Sequence, residues 1–299
     1  MFMNSASEIL PLFQSGRPTV SVEFYPPKTD EGVRQMLHTA EALKPYGIDF
    51  ASITYGAGGS TRERTIEYGT QLVRLGYRVM PHLTCVGHSR PELRAILDRF
   101  RDAGFRAIMT LRGDPPKGET AFTPHPDGLA HASELVAFIR EQTGNLFTLG
   151  VAGYPEKHPE SLDDESDLHW LSHKVKQGAD FVTTQLFFDN AHYFKFVERC
   201  HAAGITVPVV PGIMPPLSLD QAKKFCTFCG SHLPPELEAR LAACIGDEAA
   251  SQAAGVDWAF EQARGLLKGG APGFHLYILN RSESALALLE RLRKESLIR

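Results

Sequence analysis

The chain has 299 residues, with 43% hydrophobic and 22% charged residues, which is the composition of a globular protein with a sizeable core. A net charge of −4 argues against nucleic-acid binding, and no secretory signal or apolar stretch of about 18 residues indicates a membrane segment. The five cysteines form no disulfide framework, so we predict a cytoplasmic protein. No linker rich in Pro, Gly or Ser marks a domain boundary, so we predict a single domain over residues 1–299.

Apolar, β-branched runs alternate with segments of helical periodicity along the whole chain, a pattern typical of repeated βα units. The runs predicted as strands are residues 19–25, 50–55, 78–85, 107–111, 148–152, 181–188, 207–210 and 274–279. Pro81 lies inside the third run. Because proline cannot donate a hydrogen bond to a neighbouring strand, it predicts a shortened or bulged strand there.

Three segments carry apolar residues at the spacing of an amphipathic helix. These positions are Val33, Met36, Leu37, Ala40 and Leu43, then Tyr193, Phe196, Val197 and Cys200, and finally Ala285, Leu288, Leu289 and Leu292. The gap before the last strand exceeds one βα unit, and residues 235–243 and 249–267 are candidate helices within it. We predict an α/β fold, a (β/α)8 TIM barrel with an additional helix between units seven and eight.

A polar or otherwise functional residue follows each apolar run. These residues are Glu23, Thr54, His82, Asp114, Tyr154, Gln185, Gly212 and Arg281. The active site of such a barrel lies at the carboxyl ends of its strands, so these residues are predicted to surround it.

Glu23 lies at the end of an apolar strand, and Pro26 and Pro27 end that strand directly after Tyr25. Poor solvation would raise the pKa of this carboxyl group and suit it to general acid catalysis near neutral pH. A salt bridge at the barrel rim is the alternative explanation.

The glycine-rich segment 56–61 follows a strand and precedes a helix, so its backbone N–H groups are suited to an anionic ligand. A simple turn with a serine helix cap needs no ligand and is the favoured interpretation of this segment taken alone. Cys226 and Cys229 have the spacing of a zinc or redox pair, but no second such pair exists, and their positions match one helix face. We therefore interpret them as structural thiols and predict no metal.

Other strand-end residues also have two interpretations. Arg112 and Asp114 flank a glycine and form either a turn pair or a ligand contact. Tyr154 and His158 belong either to a surface loop or to a binding site. Gln185 lies within an apolar run, where a buried amide requires a hydrogen bond from a substrate or from a neighbouring strand.

Eight segments in order resemble those of the methylenetetrahydrofolate reductase family. They are Val-Glu-Phe-Tyr-Pro-Pro-Lys (22–28), Thr-Tyr-Gly-Ala-Gly-Gly-Ser (54–60), Pro-His-Leu-Thr-Cys (81–85), Leu-Arg-Gly-Asp (111–114), Tyr-Pro-Glu-Lys-His-Pro-Glu (154–160), Thr-Gln-Leu-Phe-Phe-Asp (184–189), Pro-Gly-Ile-Met-Pro (211–215) and Leu-Asn-Arg (279–281). The resemblance covers nearly the whole chain and is closest to the short bacterial form, which lacks a regulatory domain.

This resemblance implies a flavoprotein of one-carbon metabolism. FAD would take hydride from NADH or NADPH and then reduce 5,10-methylenetetrahydrofolate to 5-methyltetrahydrofolate, a methyl source for methionine synthesis, in a ping-pong reaction. The family pattern makes Glu23 the acid that opens the folate ring to an iminium. It places Asp114 near both flavin and folate, where its charge stabilises that cation. A homo-oligomer, either a dimer or a tetramer, is also implied.

The resemblance assigns further residues by position. FAD would contact Tyr55, Ala57, His82, Arg112, Gly113, Asp114, His131, Ala132, Tyr154, His158, Asp167 and Lys174. The substrates would contact Thr54, Asp114, Tyr154, Gln185, Gln221, Phe225 and Arg281, the last being suited to a glutamate carboxylate. Many bacterial members of the family have tyrosine before the aligned alanine, whereas His131 precedes Ala132 here, which predicts a changed contact with FAD.

Two other functions are compatible with the sequence. One is a flavin barrel that acts on a different amine or imine, as in the related architecture of proline dehydrogenases. The other is a flavin-binding subunit that turns over only with a partner. Neither gives Glu23 the role of a ring-opening acid.

Overall fold

A computed structural model describes residues 9–56, 62–114 and 123–299 of the chain. Its strands are β1 (Thr19–Phe24), β2 (Phe50–Ile53), β3 (Val79–Thr84), β4 (Ala107–Leu111), β5 (Thr148–Gly153), β6 (Phe181–Thr184), β7 (Val209–Val210), β8 (Gly212–Ile213) and β9 (Gly273–Tyr277). Its α-helices are α1 (Asp30–Leu43), α2 (Arg62–Arg74), α3 (Arg90–Asp102), α4 (Ala132–Thr143), α5 (Asp164–Lys176), α6 (Asn190–Ala202), α7 (Leu219–Cys229), α8 (Pro235–Ala242), α9 (Glu248–Lys268) and α10 (Glu283–Lys294). Short 3-10 helices span Leu10–Gln14 and Lys44–Tyr46.

The strands form one parallel sheet that closes into a barrel. Its order is β7-β6-β5-β4-β3-β2-β1-β9-β8, so the two edge strands are consecutive in the chain with only Pro211 between them. β7 pairs with β6, and β8 pairs with β9. Together they serve as one seventh strand, interrupted at a residue that has no N–H to donate. The predicted (β/α)8 barrel is confirmed.

The third and sixth strands differ from their predicted forms. The prediction that Pro81 shortens or bulges its strand is wrong, because β3 continues through it. β3 pairs with β2 up to Pro81 and with β4 from His82 onwards. The N–H that Pro81 lacks is therefore missing only at the end of the β2–β3 pairing, and the β3–β4 pairing is intact. The sixth strand stops at Thr184, four residues early, where the Gln185 side chain accepts a hydrogen bond from the N–H of Leu186 (2.7 Å).

The predicted helices are present with their expected buried faces. α1 buries Met36, Ala40 and Leu43, and α10 buries all four of its predicted apolar positions. Between β8 and β9 the chain forms three helices rather than the usual one, so α8 and α9 confirm both candidate segments. In the part of the chain that the structure covers, no helix is long and apolar enough to cross a membrane.

Apolar side chains fill the barrel at the amino ends of its strands, so the opposite end is the one available for a site. Phe50 and Phe181 begin their strands and pack with Met80 and Val210 in a buried apolar layer. Phe13, from the first 3-10 helix, packs on this layer with its ring 5.2 Å from that of Phe181. Since these side chains seal one end, polar strand-end residues at the opposite end line the accessible space.

Candidate active site

A cavity of about 700 Å³ opens at the carboxyl ends of the strands. This volume lies within the range of small-molecule and cofactor sites. Six of the eight predicted strand-end residues line it, namely Glu23, Thr54, His82, Asp114, Tyr154 and Gln185. These residues lie at or just beyond the carboxyl ends of parallel strands, which meet at one end of the barrel.

The floor of the cavity is built around the Glu23 carboxylate at the end of β1. Its Oε2 lies 3.3 Å from Nε2 of His82 on β3 and 3.7 Å from Nε2 of His275 on β9. The hydroxyl of Ser52 on β2 donates to the same oxygen at 3.4 Å. The carboxylate is 22% exposed, so it is largely shielded from bulk water and yet reachable from the cavity.

The environment of Glu23 reverses the predicted direction of its pKa. Burial raises the pKa, as expected from the strand, but hydrogen bonds and positive charge from His275 and His82 outweigh it and lower the pKa to about 2. The expectation of a raised pKa is therefore wrong for this structure. The Glu23 carboxyl group is therefore ionised at neutral pH.

His275 is a floor residue that the sequence analysis missed. It is 1% exposed, its Nδ1 lies 2.8 Å from Oγ of Ser21, and its ring stacks on Phe50. These contacts fix the imidazole with Nε2 towards Glu23. The signal was the alternation of His275 and Tyr277 in an otherwise apolar strand, which predicts that both face the barrel interior.

Tyr277 crosses the seventh strand to reach β6. Its hydroxyl donates to the backbone oxygen of Thr184 at 2.8 Å. A Cβ on Gly212 would lie 2.4 Å from that oxygen and 2.6 Å from the tyrosine hydroxyl, so only glycine permits this approach. Burial raises the pKa of Tyr277 well above its ordinary value and keeps the phenol protonated.

The wall formed by β4 and the loop after β5 is rich in charge. Arg112 makes a two-pronged ion pair with Glu160, with N–O distances of 2.6 and 2.7 Å. Gly113 has φ +94°, and a Cβ there would lie 2.5 Å from Val86, so this turn requires glycine. Asp114 follows at the exposed mouth.

Lys174 on α5 brings a cation to the same wall. Its Nζ donates to the backbone oxygen of Ala152 at 2.5 Å. Burial lowers the pKa of Lys174 to about 8, while the charge of Asp167 opposes this shift. The rings of Tyr154 and His158 meet edge to face at 4.5 Å beside it, and burial lowers the pKa of His158.

The cavity residues fit a flavin. Among the described residues, two buried hydroxyl oxygens of residues that line the cavity have no hydrogen-bond partner, namely Thr84 Oγ1 and Thr183 Oγ1. Buried polar groups are nearly always hydrogen-bonded, so a ligand with polar edges would supply the missing partners. Met109 and Leu111 supply apolar surface next to them, as a planar ring with polar edges requires.

The remaining predicted contacts fall into two groups. Tyr55, Gly113, Ala132 and Phe225 line the cavity with the residues above. His131, Asp167, Gln221 and Arg281 lie outside the lining, and Ala57 lies outside the described residues. The side chain of Gln221 accepts a hydrogen bond from the N–H of Leu217, and that of Asp167 accepts one from the hydroxyl of Ser161. Both side chains therefore stabilise the local loop structure.

The cysteine pair lies on α7 as predicted. Cys226 is buried, and Cys229 lines the cavity. Burial raises the pKa of each thiol to about 11, which keeps them protonated and unreactive. Within residues 9–56, 62–114 and 123–299, no group of three or more His, Cys, Asp or Glu side chains is arranged to hold a metal ion.

Comparison with known proteins identifies the family. The family model "Methylenetetrahydrofolate reductase" matches residues 8–293. The chain is 36% identical to methylenetetrahydrofolate reductase (NADH) 1 of Arabidopsis thaliana, covering 97% of this chain but 51% of that protein. It therefore spans about half the length of the plant relatives that it matches.

A bacterial relative and a solved structure extend the comparison. The chain is 35% identical to 5,10-methylenetetrahydrofolate reductase of Salmonella typhimurium, covering 93% of this chain and 91% of that one. A protein from Clostridium thermocellum, described as binding two copies of 5-methyl-5,6,7,8-tetrahydrofolic acid, shares the fold with a TM-score of 0.66 and 18% identity, covering 95% of this chain and 98% of that one. The chain belongs to the methylenetetrahydrofolate reductase family.

Proposed function

We propose that this protein reduces 5,10-methylenetetrahydrofolate to 5-methyltetrahydrofolate, using FAD and either NADH or NADPH. The observation that carries the proposal is the floor of the cavity, where the Glu23 carboxylate lies between two imidazoles. The reaction adds one hydride and one proton to the folate, and a shielded group of three titratable side chains is suited to supply the proton. The names of the bacterial relatives support the same substrate.

Residues on the β4, β5 and α5 side of the cavity would hold the cofactor. Bound FAD supplies hydride transfer, accepting hydride from the nicotinamide and delivering it to the folate in turn. Lys174 and Arg112 provide positive charge for polar parts of the dinucleotide, while Tyr154 and His158 provide an aromatic wall. His82 and Tyr55 would contact the flavin from the opposite side of the cavity.

Glu23 would deliver the proton that opens the five-membered ring of the folate. Protonation of a ring nitrogen by Glu23 Oε2 breaks the carbon–nitrogen bond and leaves an iminium, which then accepts the hydride. Because the pKa of Glu23 is about 2 in this structure, the carboxylate must first take up a proton by transfer before it can act as the acid. Displacement of water by the substrate would favour the neutral carboxyl group and so promote that transfer.

The substrates would meet residues around the mouth. Asp114 supplies a negative charge that stabilises the cationic iminium. Gln185 and Phe225 line the cavity and would contact the folate, and Thr54 and Tyr154 would contact the nicotinamide. Gln221 and Arg281 lie beyond the lining, where Arg281 is exposed and available to the glutamate tail. Family resemblance further supports a dimer or tetramer, which sedimentation velocity would measure.

An anaerobic absorbance titration tests the proposal directly. The flavin of the purified protein is reduced with NADH or NADPH, and methylenetetrahydrofolate is then added. Bleaching of the oxidised flavin band followed by its recovery is the expected result. Bleaching without recovery would keep a flavoenzyme but assign a different amine or imine substrate. Recovery only after addition of cell extract would support the partner-dependent subunit, and failure to bind FAD would overturn the cofactor.

A further inference from the structure

The turn that follows β9 has an unusual backbone conformation. Leu279 and Asn280 are consecutive residues with φ +50° and +56°, which lie in the left-handed region. Asparagine adopts this conformation more readily than most residues, but leucine rarely does. Strained residues of this kind persist only where the surrounding contacts hold them, and they cluster at functional sites.

The side chain of Asn280 takes the place of a peptide group in the barrel. Every second residue of β1 bonds to β9, so Tyr25 is the next residue after Glu23 whose N–H and C=O face that strand. The carbonyl of Ile278 turns away from it and accepts from the N–H of Arg281 at 2.9 Å. Instead, Oδ1 of Asn280 accepts from the N–H of Tyr25 at 3.0 Å, and Nδ2 donates to its C=O at 2.8 Å.

The backbone of Asn280 is held from a second direction. Its carbonyl oxygen accepts from the hydroxyl of Thr39 on α1 at 3.0 Å, and the two residues are buried, with exposures of 4% and 0%. The turn is therefore fixed between the end of β1 and a helix of the first βα unit. A carboxamide is suited to this position because it donates and accepts at the same time.

These hydrogen bonds connect two parts of the cavity. Glu23, the proposed acid, lies two residues before Tyr25, and Leu279, directly before Asn280, lines the cavity. Asn280 itself is not among the lining residues, so any effect that it has on the reaction must pass through its neighbours. Without the carboxamide, nothing in the turn would pair with the backbone of Tyr25, and the strained conformation of Leu279 would lose its support.

We propose that Asn280 is a positioning residue for the folate half-reaction. Its carboxamide joins the end of β1 to the turn after β9 and so fixes the Glu23 carboxylate and the Leu279 side chain relative to each other. The inference rests on the proposed function and adds to it a residue that does not contact the substrate. A displacement of about 1 Å in a reacting group can lower a rate by about 100-fold, so the precision of this connection matters to proton transfer.

Two substitutions separate the carboxamide from the backbone conformation. Asn280→Asp keeps an acceptor for the N–H of Tyr25 but places a second acceptor against its C=O. Asn280→Gly adopts the left-handed conformation without strain but has no side chain. For both we expect flavin reoxidation at saturating methylenetetrahydrofolate to slow by about 10-fold to 100-fold. The half-saturating folate concentration should rise as well, whereas flavin reduction by NADH should stay close to that of the parent.

The pH dependence of Asn280→Asp supplies a rescue. When its carboxyl group is protonated, the variant regains a donor for the C=O of Tyr25. Its folate rate, taken as a ratio to that of the parent, should therefore recover as the pH falls from 8 to about 6. Flavin content and reduction by NADH show that each variant is folded. If Asn280→Gly retains no flavin, this recovery alone decides, and its absence overturns the proposal.

Asn190→Ala is a matched control. It also removes a hydrogen bond from a carboxamide to a backbone oxygen, that of Gln262 at 2.9 Å, but outside the cavity lining. We expect it to lower the urea midpoint and to leave both half-reactions unchanged.

The inference and the proposed function fail in distinguishable ways. If either Asn280 variant keeps the folate rate of the parent, or if both half-reactions fall equally, the positioning role is overturned and the proposed function stands. Activity retained in Asn280→Gly would show that the residue serves only the backbone conformation. A parent whose reduced flavin is not reoxidised by methylenetetrahydrofolate would overturn the proposed function and this inference together.

Discussion

The floor of the cavity and its charged outer wall are built on different principles. At the floor, Glu23, His82 and His275 are strand residues, and hydrogen bonds to Ser21 and Ser52 hold the histidine on the last strand. At the wall, charged side chains of loops and helices meet near the surface, as in the ion pair of Arg112 with Glu160. The floor is therefore fixed by sheet register, whereas the wall can rearrange around a ligand.

This difference separates two tasks. Proton transfer requires groups held within hydrogen-bond distance, and barrel strands hold them more rigidly than loops do. Binding of a long dinucleotide requires several cations and aromatic surfaces spread over a distance, which loops and helices provide. We therefore expect substitutions at the floor to affect one half-reaction strongly, and substitutions at the wall to affect cofactor affinity more modestly.

The largest effect is expected from Glu23→Gln. Glutamine keeps the shape of the side chain but cannot donate a proton as a carboxylic acid does. We expect flavin reoxidation by methylenetetrahydrofolate to fall by about 10³-fold or more, and flavin reduction by NADH to stay within a few-fold of the parent. Stopped-flow measurement of each half-reaction separates the two. Equal losses in both would remove the acid role from Glu23.

His275→Asn tests whether His275 positions the proton on Glu23. Without the imidazole, one of the two groups that lower the pKa of Glu23 is lost, so this pKa should rise from about 2. We expect a loss of about 10-fold to 100-fold in the folate half-reaction and a shift of its pH–rate profile towards higher pH. A purely structural role would lower the rate without moving the profile. Reduction by NADH is the internal control.

Lys174→Met tests the cost of a buried cation in the wall. The unfolded lysine keeps its proton up to about pH 10.5, whereas the folded one loses it near pH 8, so the parent gains stability as pH rises through this window. At pH 7 the buried charge is fully present, and the variant should be more stable by about 1 to 2 kcal/mol, after allowance for its lost hydrogen bond.

Urea unfolding at pH 7 and pH 9.5 measures this difference, which should shrink at the higher pH. FAD affinity of the same variant should fall by about 10-fold, since a charge-assisted contact is lost. A variant that is less stable than the parent at pH 7 would contradict the view that the buried charge of Lys174 lowers the stability of the fold.

The smallest effect is expected from Glu160→Gln. This exposed carboxylate occupies the guanidinium of Arg112, and exposed ion pairs contribute less than about 1 kcal/mol. The substitution removes a negative charge beside the Arg112 guanidinium, so we expect FAD to bind about two- to five-fold more tightly, with a smaller gain at high salt.

A matched ion pair lies outside the site. Glu63 meets Arg99 with the same two-pronged geometry, at 2.8 and 2.6 Å. Glu63→Gln should therefore leave FAD affinity unchanged. Tighter binding in both variants would show that the net charge of the protein, rather than the local charge beside Arg112, causes the effect.

The barrel and most of its floor could be predicted because their signals are local. Apolar runs and helical periodicity reveal the βα units, and a carboxylate at a strand end, such as Glu23, is visible in a short segment. The direction of its pKa could not be predicted in the same way. That direction depends on His275, a residue far away in the sequence that only the closure of the barrel brings near β1.

The wall was predicted less completely for a related reason. His131 and Lys174 were assigned by resemblance, whereas no helix was predicted over the segment that carries Trp170. The ring of Trp170 lies parallel to that of His131, which belongs to the preceding βα unit, and the angle between two rings leaves no trace in a sequence. The extent of the sixth strand depended similarly on a side-chain bond of Gln185 to its own backbone.

The strand pairing of the barrel is weakest at the interrupted seventh strand, which lies beside the strand that carries His275. β7 and β8 each offer a neighbour only two paired residues, whereas β1 and β9 share five. Hydrogen bonds of Thr184 on β6 with Tyr277 on β9 and with Gly212 on β8 connect the strands on the two sides of this interruption. Local unfolding should therefore begin here. Since His275 lies on the adjoining strand, the stability of this junction governs how constantly its imidazole stays beside the Glu23 carboxylate.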